Sequence, residues 1–241
     1  MKKSVCIISV IIAVVFASCR TESYDPRYAE LRIQLLHNCG NGPLLYDTLI
    51  YQNAAGEGYQ VEHLEYYISG ITLYGSNGSR YYDDGIYYVN ARENPQMTIH
   101  LDSIAPGSYN RMTCHVGIDS NRNEYGYLPN TMENAGMAWP EFMGGGYHFI
   151  KLEGHFQGAA LWGFAVHLGS DSVLPTCSTD SQLELKYINH NATLTMDVNE
   201  WFQNPHSYSF INDGNYTMGD QLLMGKIRDN GSDIFSLHQN N

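Results

Sequence analysis

Short segments rich in Tyr, Ile, Val and Thr recur along most of the chain, and they constrain its fold more than any other feature. Turn sequences such as Ser76-Asn77-Gly78 and Ala105-Pro106-Gly107 separate them. β-branched and aromatic residues favour strands, whereas Gly, Pro and Asn favour the turns between strands. The segments that we predict as strands are Leu31–Leu35, Val61–Leu73, Ile86–Val89, Met97–Leu101, Arg111–Ile118, His148–Glu153, Leu161–Leu168, Leu183–Ile188 and Ala192–Val198.

Many short strands with frequent turns predict an all-β protein, a single-domain antiparallel β-sandwich with long loops. The 19 tyrosines agree with this prediction, because aromatic side chains suit the half-buried surface of a pleated sheet. Only single helical turns are predicted, at Val198–Phe202 and Gly219–Met224. With no internal repeat and no second boundary, residues 30–241 form the predicted domain and residues 19–29 a tether.

The N-terminal residues 1–18 have the pattern of a bacterial lipoprotein signal peptide. Two lysines come before an apolar run from Val5 to Phe16, and Ala17-Ser18 stand directly before Cys19. The run is shorter than the roughly 20 residues of a membrane-spanning helix. Cys19 is therefore the predicted lipidation site, which would anchor the protein in the cell envelope, in the periplasm or at the outer-membrane surface. An ordinary secretory peptide with an incidental cysteine is the alternative.

The chain is acidic, with 25 Asp and Glu against 13 Lys and Arg and a formal charge of −12. Such a charge argues against a nucleic-acid partner. It would attract cations or a basic redox protein, and it would equally serve solubility alone.

Three cysteines remain beyond the signal peptide and the predicted lipid anchor, namely Cys39, Cys114 and Cys177. In an oxidising compartment they allow one disulfide and one free thiol, and the sequence does not show which pair forms. No Cys-x-x-Cys pair supports a cysteine-rich zinc site.

The segment from Met137 to His155 concentrates oxidisable and metal-ligating side chains around the glycine triplet 144–146. It includes Trp139, Met143 and His148. Thioether and imidazole ligands together suit copper, with thioether favouring the cuprous ion. Soft-metal chemistry is therefore the first functional hypothesis for this segment.

The histidines of the predicted strands differ in their surroundings. Strand alternation places His148 on the core face with Ile150 and Leu152, so its ring must have a hydrogen-bond partner or a metal. His167 lies on the opposite face from Trp162, beside small residues. His63 and His37 are further candidate ligands, in the second strand and at the end of the first.

Other kinds of site have weaker support. Residues 119–124 place oxygen ligands at alternate positions, but Glu124 stands where a calcium loop of the EF-hand type needs glycine, and an Asx turn is the alternative. Gly-x-Ser-x-Gly and His-Glu-x-x-His are both missing. The sequence therefore predicts a binding protein and no catalytic residues.

Several segments, in their order and spacing, resemble the MbnP-like family of bacterial periplasmic copper-binding proteins. The resemblance spans about residues 31–237. Its segments are Gly58–Val61, Leu64–Leu73, Pro106–Tyr109, Val116–Ser120, Gly136–Trp139, Gly146–Gly154 and Val166–Ser170.

The resemblance implies an all-β protein that binds copper through histidines and a tryptophan oxidised to kynurenine. The matching tryptophan is Trp139, and a di-haem peroxidase-like partner is implied as its oxidant. His148, His167, His63 and His37 are the histidines that this sequence offers as ligands. The hypothesis is thus a lipid-anchored copper-binding protein for acquisition, buffering or transfer of the metal. The alternative is a surface lipoprotein that binds a glycan or protein through exposed tyrosines without metal.

If Trp139 is oxidised to kynurenine, the native protein will differ in mass from its sequence by one gained oxygen and one lost carbon. Intact-mass measurement followed by peptide mapping will locate that change at Trp139, and the Trp139→Phe variant will show none of it. An unmodified native mass would remove both the kynurenine and the peroxidase partner from the hypothesis.

Overall fold

The computed structural model describes residues 27–240, which form two β-sheets around one hydrophobic core. The predicted all-β sandwich is confirmed. The signal peptide, Cys19 and most of the tether lie outside the described residues. The strands are β1 (Ala29–Cys39), β2 (Gly42–Pro43), β3 (Tyr51–Gln52), β4 (Gly58–Gly75), β5 (Arg80–Tyr82), β6 (Ile86–Asn90), β7 (Thr98–Ile104), β8 (Gly107–Val116), β9 (Ile150–Gln157), β10 (Leu161–Leu168), β11 (Thr176–Leu185), β12 (Asn189–Asp197) and β13 (Phe235–Asn240).

The helices of the described residues are few and short. They are α1 (Met132–Gly136), α2 (Gln221–Asn230) and 3₁₀ turns at Glu141–Met143, Asp171–Val173 and Val198–Phe202. Asp220 begins α2, because its carboxylate accepts hydrogen bonds from the amides of Leu222 and Leu223. Within residues 27–240, no helix combines the length and the apolar character needed to cross a bilayer.

The first sheet has five strands, in the order β13-β12-β1-β2, with β7 also paired to β1. Its β1 and β12 run parallel, with Leu31 opposite His190 and Leu35 opposite Leu194. Its remaining pairs are antiparallel. The sandwich therefore departs from the predicted antiparallel pattern at one pair, which joins strands far apart in the sequence.

The second sheet has the order β10-β9-β4-β8-β11, and β4 also pairs with β3, β5 and β6. The 18 residues of β4 make it the longest strand and the one on which most of this sheet is assembled. Strands β9 and β10 form an antiparallel hairpin whose register places Lys151 opposite His167 and Glu153 opposite Ala165.

The core follows strand alternation. Leu31, Ile33 and Leu35 of β1 are at most 1% exposed, and the polar residues between them face outward. At one end of the sandwich an aromatic group fills the core, in which the rings of Phe164 and Phe210 stack with centroids 4.5 Å apart. Burial of such side chains away from water stabilises the fold by about 25 cal/mol per Å² of apolar area.

The predicted strands all overlap observed ones, but β2, β3, β5, β13 and α1 were not predicted. The single turn predicted at Gly219–Met224 is wrong, because α2 runs for ten residues from Gln221 to Asn230. Strand β10 and the turn at Val198–Phe202 were predicted with their observed bounds. Strand β9 begins at Ile150, two residues after the predicted start at His148. Alternation therefore does not apply to His148, which precedes the strand.

The three described cysteines are buried free thiols. Cys114 of β8 stands directly opposite Cys177 of β11, and the sulfur of Cys39 lies 3.1 Å from the hydroxyl of Tyr59. Of the possible pairs, this register brings together Cys114 and Cys177.

A buried carboxylate joins the turn before β4 to the loop before α2. Glu57 is 8% exposed. It accepts hydrogen bonds from the Asn53 amide at 2.8 Å, the Ser209 hydroxyl at 2.7 Å and the backbone amides of Phe210 and Ile211 at 2.7 and 3.1 Å. Burial alone would raise the pKa of Glu57, but these hydrogen bonds outweigh it and hold the pKa below its usual value.

Replacement of this carboxylate by an amide, Glu57→Gln, will lower the free energy of unfolding at pH 7 by about 1–3 kcal/mol, because an NH₂ group will face donors and leave them unsatisfied. A lowered carboxyl pKa stabilises the fold above the unfolded-state pKa, and that contribution is lost as the pH falls below it. Denaturant titrations at several pH values will therefore show a weaker loss of stability below pH 4.5 in the variant.

The control is Glu93→Gln, which changes an exposed carboxylate. Its stability will stay near that of the wild type at every pH. Equal effects of the two substitutions would contradict a structural role for Glu57.

Candidate metal centre

The candidate site lies where a long connection folds over the second sheet. Residues 117–149 join β8 to β9 and include α1 and the turn Glu141–Met143. The glycines at 144, 145 and 146 all have positive φ, a conformation that other residues rarely adopt, and they turn the chain back toward β9. Within this connection the backbone amide of Trp139 donates to Gly146 O at 2.9 Å, and its indole Nε1 donates to Met143 O at 3.2 Å.

Trp139 packs against the end of β10. The residue is 2% exposed. A Cβ added to Gly169 would lie 2.2 Å from Cε3 of the indole, so only a residue without a side chain allows this contact. Gly169 thereby fixes how closely the connection approaches the sheet.

His148 stands between Trp139 and His167. Its ring centroid is 4.8 Å from that of Trp139 and 5.1 Å from that of His167, and both contacts are edge to face. His148 is buried, and His167 is partly covered. The structure thus brings three of the five sequence-predicted site residues into one continuous ring group.

Hydrogen bonds set the tautomers of both imidazoles. Nδ1 of His148 lies 3.2 Å from Met137 O, and a carbonyl only accepts, so Nδ1 holds the proton. Nε2 of His167 lies 2.7 Å from Oε1 of Glu153, so Nε2 is the donor to the carboxylate. The other nitrogens, Nε2 of His148 and Nδ1 of His167, therefore keep lone pairs when the rings are neutral.

The electrostatics of the group keep His148 neutral. Burial is the largest cause, and with nearby His167 and Lys151 it lowers the pKa of His148 to about 4. The pKa of Glu153 also lies below its usual value, chiefly because of the hydrogen bond from His167 and despite partial burial. At neutral pH the group therefore contains an uncharged His148 and an ionised Glu153.

His63 lies beside this group without joining its rings. It stands opposite Glu153 across the pair of β4 and β9, and its Nε2 is 3.0 Å from Oε2 of Glu65. The hydrogen bond to Glu65 is the main cause that raises the pKa of His63. A histidine that holds its proton more firmly is a poorer metal ligand.

His37 lies apart, on β1 of the first sheet. Its Nε2 is 2.8 Å from the hydroxyl of Tyr66, and burial lowers its pKa to about 4. Its contacts are those of a core histidine with a satisfied hydrogen bond.

Sequence reasoning missed two residues that orient His167. Glu153 holds Nε2, and Thr217 accepts from the amide of His167 and donates to its carbonyl, both at 2.8 Å. The spacing of Glu153 and His167 matches neighbouring strands of a hairpin, but only the register shows that they meet. No sequence pattern points to Thr217.

The segment 119–124 forms an Asx turn. One oxygen of Asp119 accepts from the amide of Asn121 at 3.2 Å, and the other accepts from Nε of Arg122 at 2.6 Å. The carboxylate is thus already paired with an arginine, which favours the turn over a calcium loop.

Two imidazoles are too few for a complete protein-only metal site. Throughout residues 27–240, no three His, Cys, Asp or Glu residues are grouped so as to hold a metal ion. A metal bound by His148 and His167 would therefore need a further ligand of another kind. Trp139 is a candidate by position, because its ring contacts that of His148.

Comparison with known proteins relates the chain to one family. The family model described as MbnP matches residues 28–218. Among solved structures, MbnP from Methylosinus trichosporium is similar, with a TM-score of 0.54 and 11% identity over 89% of this chain and 99% of that chain. At this identity the structural likeness shows the fold alone. No protein with a curated description matches the chain.

Filling the space beneath Trp139, by Gly169→Ala, will displace the indole and lower stability by about 1–3 kcal/mol through overpacking. Near-ultraviolet circular dichroism will report the changed tryptophan environment, and thermal unfolding will report the loss. Gly225→Ala on α2 is the matched control, because a Cβ there meets no atom within 4 Å. That control will stabilise the helix by up to about 1 kcal/mol. An unchanged tryptophan spectrum in Gly169→Ala would contradict the packing described here.

Proposed function

The chain belongs to the MbnP family, and on that premise we propose that it is a lipid-anchored copper-binding protein of the bacterial cell envelope. Copper is bound by His148 and His167 beside Trp139. The role is acquisition, buffering or transfer of the metal, and no residue is assigned a catalytic task. Cys19 supplies the lipid anchor to the membrane.

The observation that supports the metal site is the pair of fixed tautomers. Each imidazole donates one N–H to a fixed oxygen and keeps a lone pair on the other nitrogen. Metal-binding histidines almost always have such an outer hydrogen bond, which orients the ring and makes the free nitrogen a better ligand. Neutral imidazole suits copper, and His148 stays neutral down to about pH 4.

Trp139 is the proposed source of the missing ligand. Indole is a poor ligand, whereas kynurenine has an aromatic amine and a ketone that can bind a metal. The ring of Trp139 already contacts His148 at 4.8 Å between centroids. A di-haem peroxidase-like protein is the proposed partner that oxidises it.

A second candidate function is metal-independent binding of a glycan or protein. Tyr125 and Tyr127, on the connection that covers the second sheet, are 79% and 53% exposed. Exposed aromatic rings of this kind suit a sugar face or a protein surface. Glycan binding that persists without copper and is lost in Tyr125→Ala and Tyr127→Ala would favour this function.

Removal of either proposed imidazole, by His148→Ala or His167→Ala, will abolish stoichiometric copper binding, measured by elemental analysis after loading and desalting. Glu153→Gln will weaken copper affinity by about 10- to 100-fold, the usual effect of losing the partner of a metal-binding histidine. Competition with a chelator of known affinity will measure that change.

Three histidine controls separate this site from general effects. His238→Ala changes an exposed residue of β13 and will retain the full copper content. His63→Ala and His37→Ala will also retain it, because neither ring contacts the group of Trp139, His148 and His167. Copper binding that survives in both His148→Ala and His167→Ala would show that the proposed site is wrong.

A further inference from the structure

Two methionines, Met143 and Met218, line a groove together with Trp139. The groove has a volume of about 550 Å³. The residues that line it are Trp139, Phe142, Met143, Met218, Gly219 and Gln221.

The local backbone brings Met143 close to the segment that carries Met218. Met143 ends the turn Glu141–Met143, and its carbonyl accepts the hydrogen bond from the Trp139 indole. Its methyl carbon lies 3.7 Å from where a Cβ on Gly219 would be, which places the end of this side chain over the backbone next to Met218. Gly219 has a φ of +88°, so a side chain at that position would strain the chain.

Two routes of contact join the groove to the imidazoles, one through Trp139 to His148 and one through Thr217 to His167. Trp139 lines the groove, and its ring contacts His148. Met218 directly follows Thr217, whose hydroxyl bonds to the backbone of His167. Both methionines are partly open to solvent, because Met218 is 38% exposed and Met143 is half-buried.

The side chains that line the groove favour soft monovalent cations over calcium and magnesium. Thioether sulfur is a soft, uncharged ligand that prefers Cu(I) and similar monovalent ions, and the face of an indole attracts cations. The lining includes no carboxylate, so calcium and magnesium would find only weak ligands.

We propose that Met143 and Met218 form a separate thioether site for Cu(I), at the solvent side of Trp139. The ion enters this groove before it reaches His148 and His167. Its role in copper transfer rests on the function proposed above, whereas the existence of the thioether site does not.

Silver(I) is the probe, since it is a soft monovalent ion like Cu(I) but is not oxidised by air in solution. The full-length chain is labelled with ¹³C at the methionine methyl groups and titrated with silver(I). The methyl resonances of Met143 and Met218 will shift together, and that of Met132 will not. Met132 is the matched control because it is 89% exposed on α1 and does not line the groove.

The variants test whether both sulfurs bind one ion. Met218→Leu and Met143→Leu will each weaken silver(I) binding by at least about tenfold, or ~1.4 kcal/mol, and each will abolish the shift of the remaining partner. Met132→Leu will leave the affinity unchanged. Since Met218 is at the surface, Met218→Leu tests the site even if Met143→Leu folds poorly.

Independent behaviour of the two methyl groups, or unchanged affinity in Met218→Leu, would overturn the proposal. So would the absence of any methyl shift at Met143 and Met218 on addition of silver(I). In His148→Ala the methyl shifts with silver(I) will persist, so a failure of the imidazole site and a failure of the thioether site remain distinguishable.

Discussion

The close contact between Trp139 and Gly169 determines how the site is assembled. It holds the connection 117–149 against the second sheet, and it brings the indole within ring contact of His148. His167 then completes the group from β10. The absence of a side chain at Gly169 thus allows two distant parts of the chain to pack closely.

The histidines in and beside the second sheet have pKa values shifted in opposite directions. His148 is buried with a lowered pKa, while His63, one strand away, has a raised pKa beside Glu65. Glu153 is ionised, accepts a hydrogen bond from Nε2 of His167 and faces His63 across the strand pair. The same residue type is therefore neutral and buried at one position and close to a carboxylate partner at the next.

The sequence predicted the fold well because strand formation depends on local composition and alternation. Strand β10 was predicted with its observed ends. The proximity of the candidate site's residues, but not their function, can be compared with the prediction. Trp139, His148 and His167 lie together, but alternation assigned His148 to a strand that begins only at Ile150. Glu153 and Thr217 were missed, because their roles depend on the register of a hairpin and on the path of a distant loop. Gly169 was missed because a glycine shows its importance only through what packs on it.

The parallel pair of β1 and β12 has a consequence for how the chain reaches its native state. Strand β1 is formed from the first described residues, and its neighbour β12 lies about 160 residues further along. The first sheet cannot close until β12 is available to pair with β1. Such long-range pairing makes folding slow and leaves β1 with an open edge in the meantime. Until these two distant segments meet, the edge of β1 that β12 covers is therefore open to unwanted pairing with another strand.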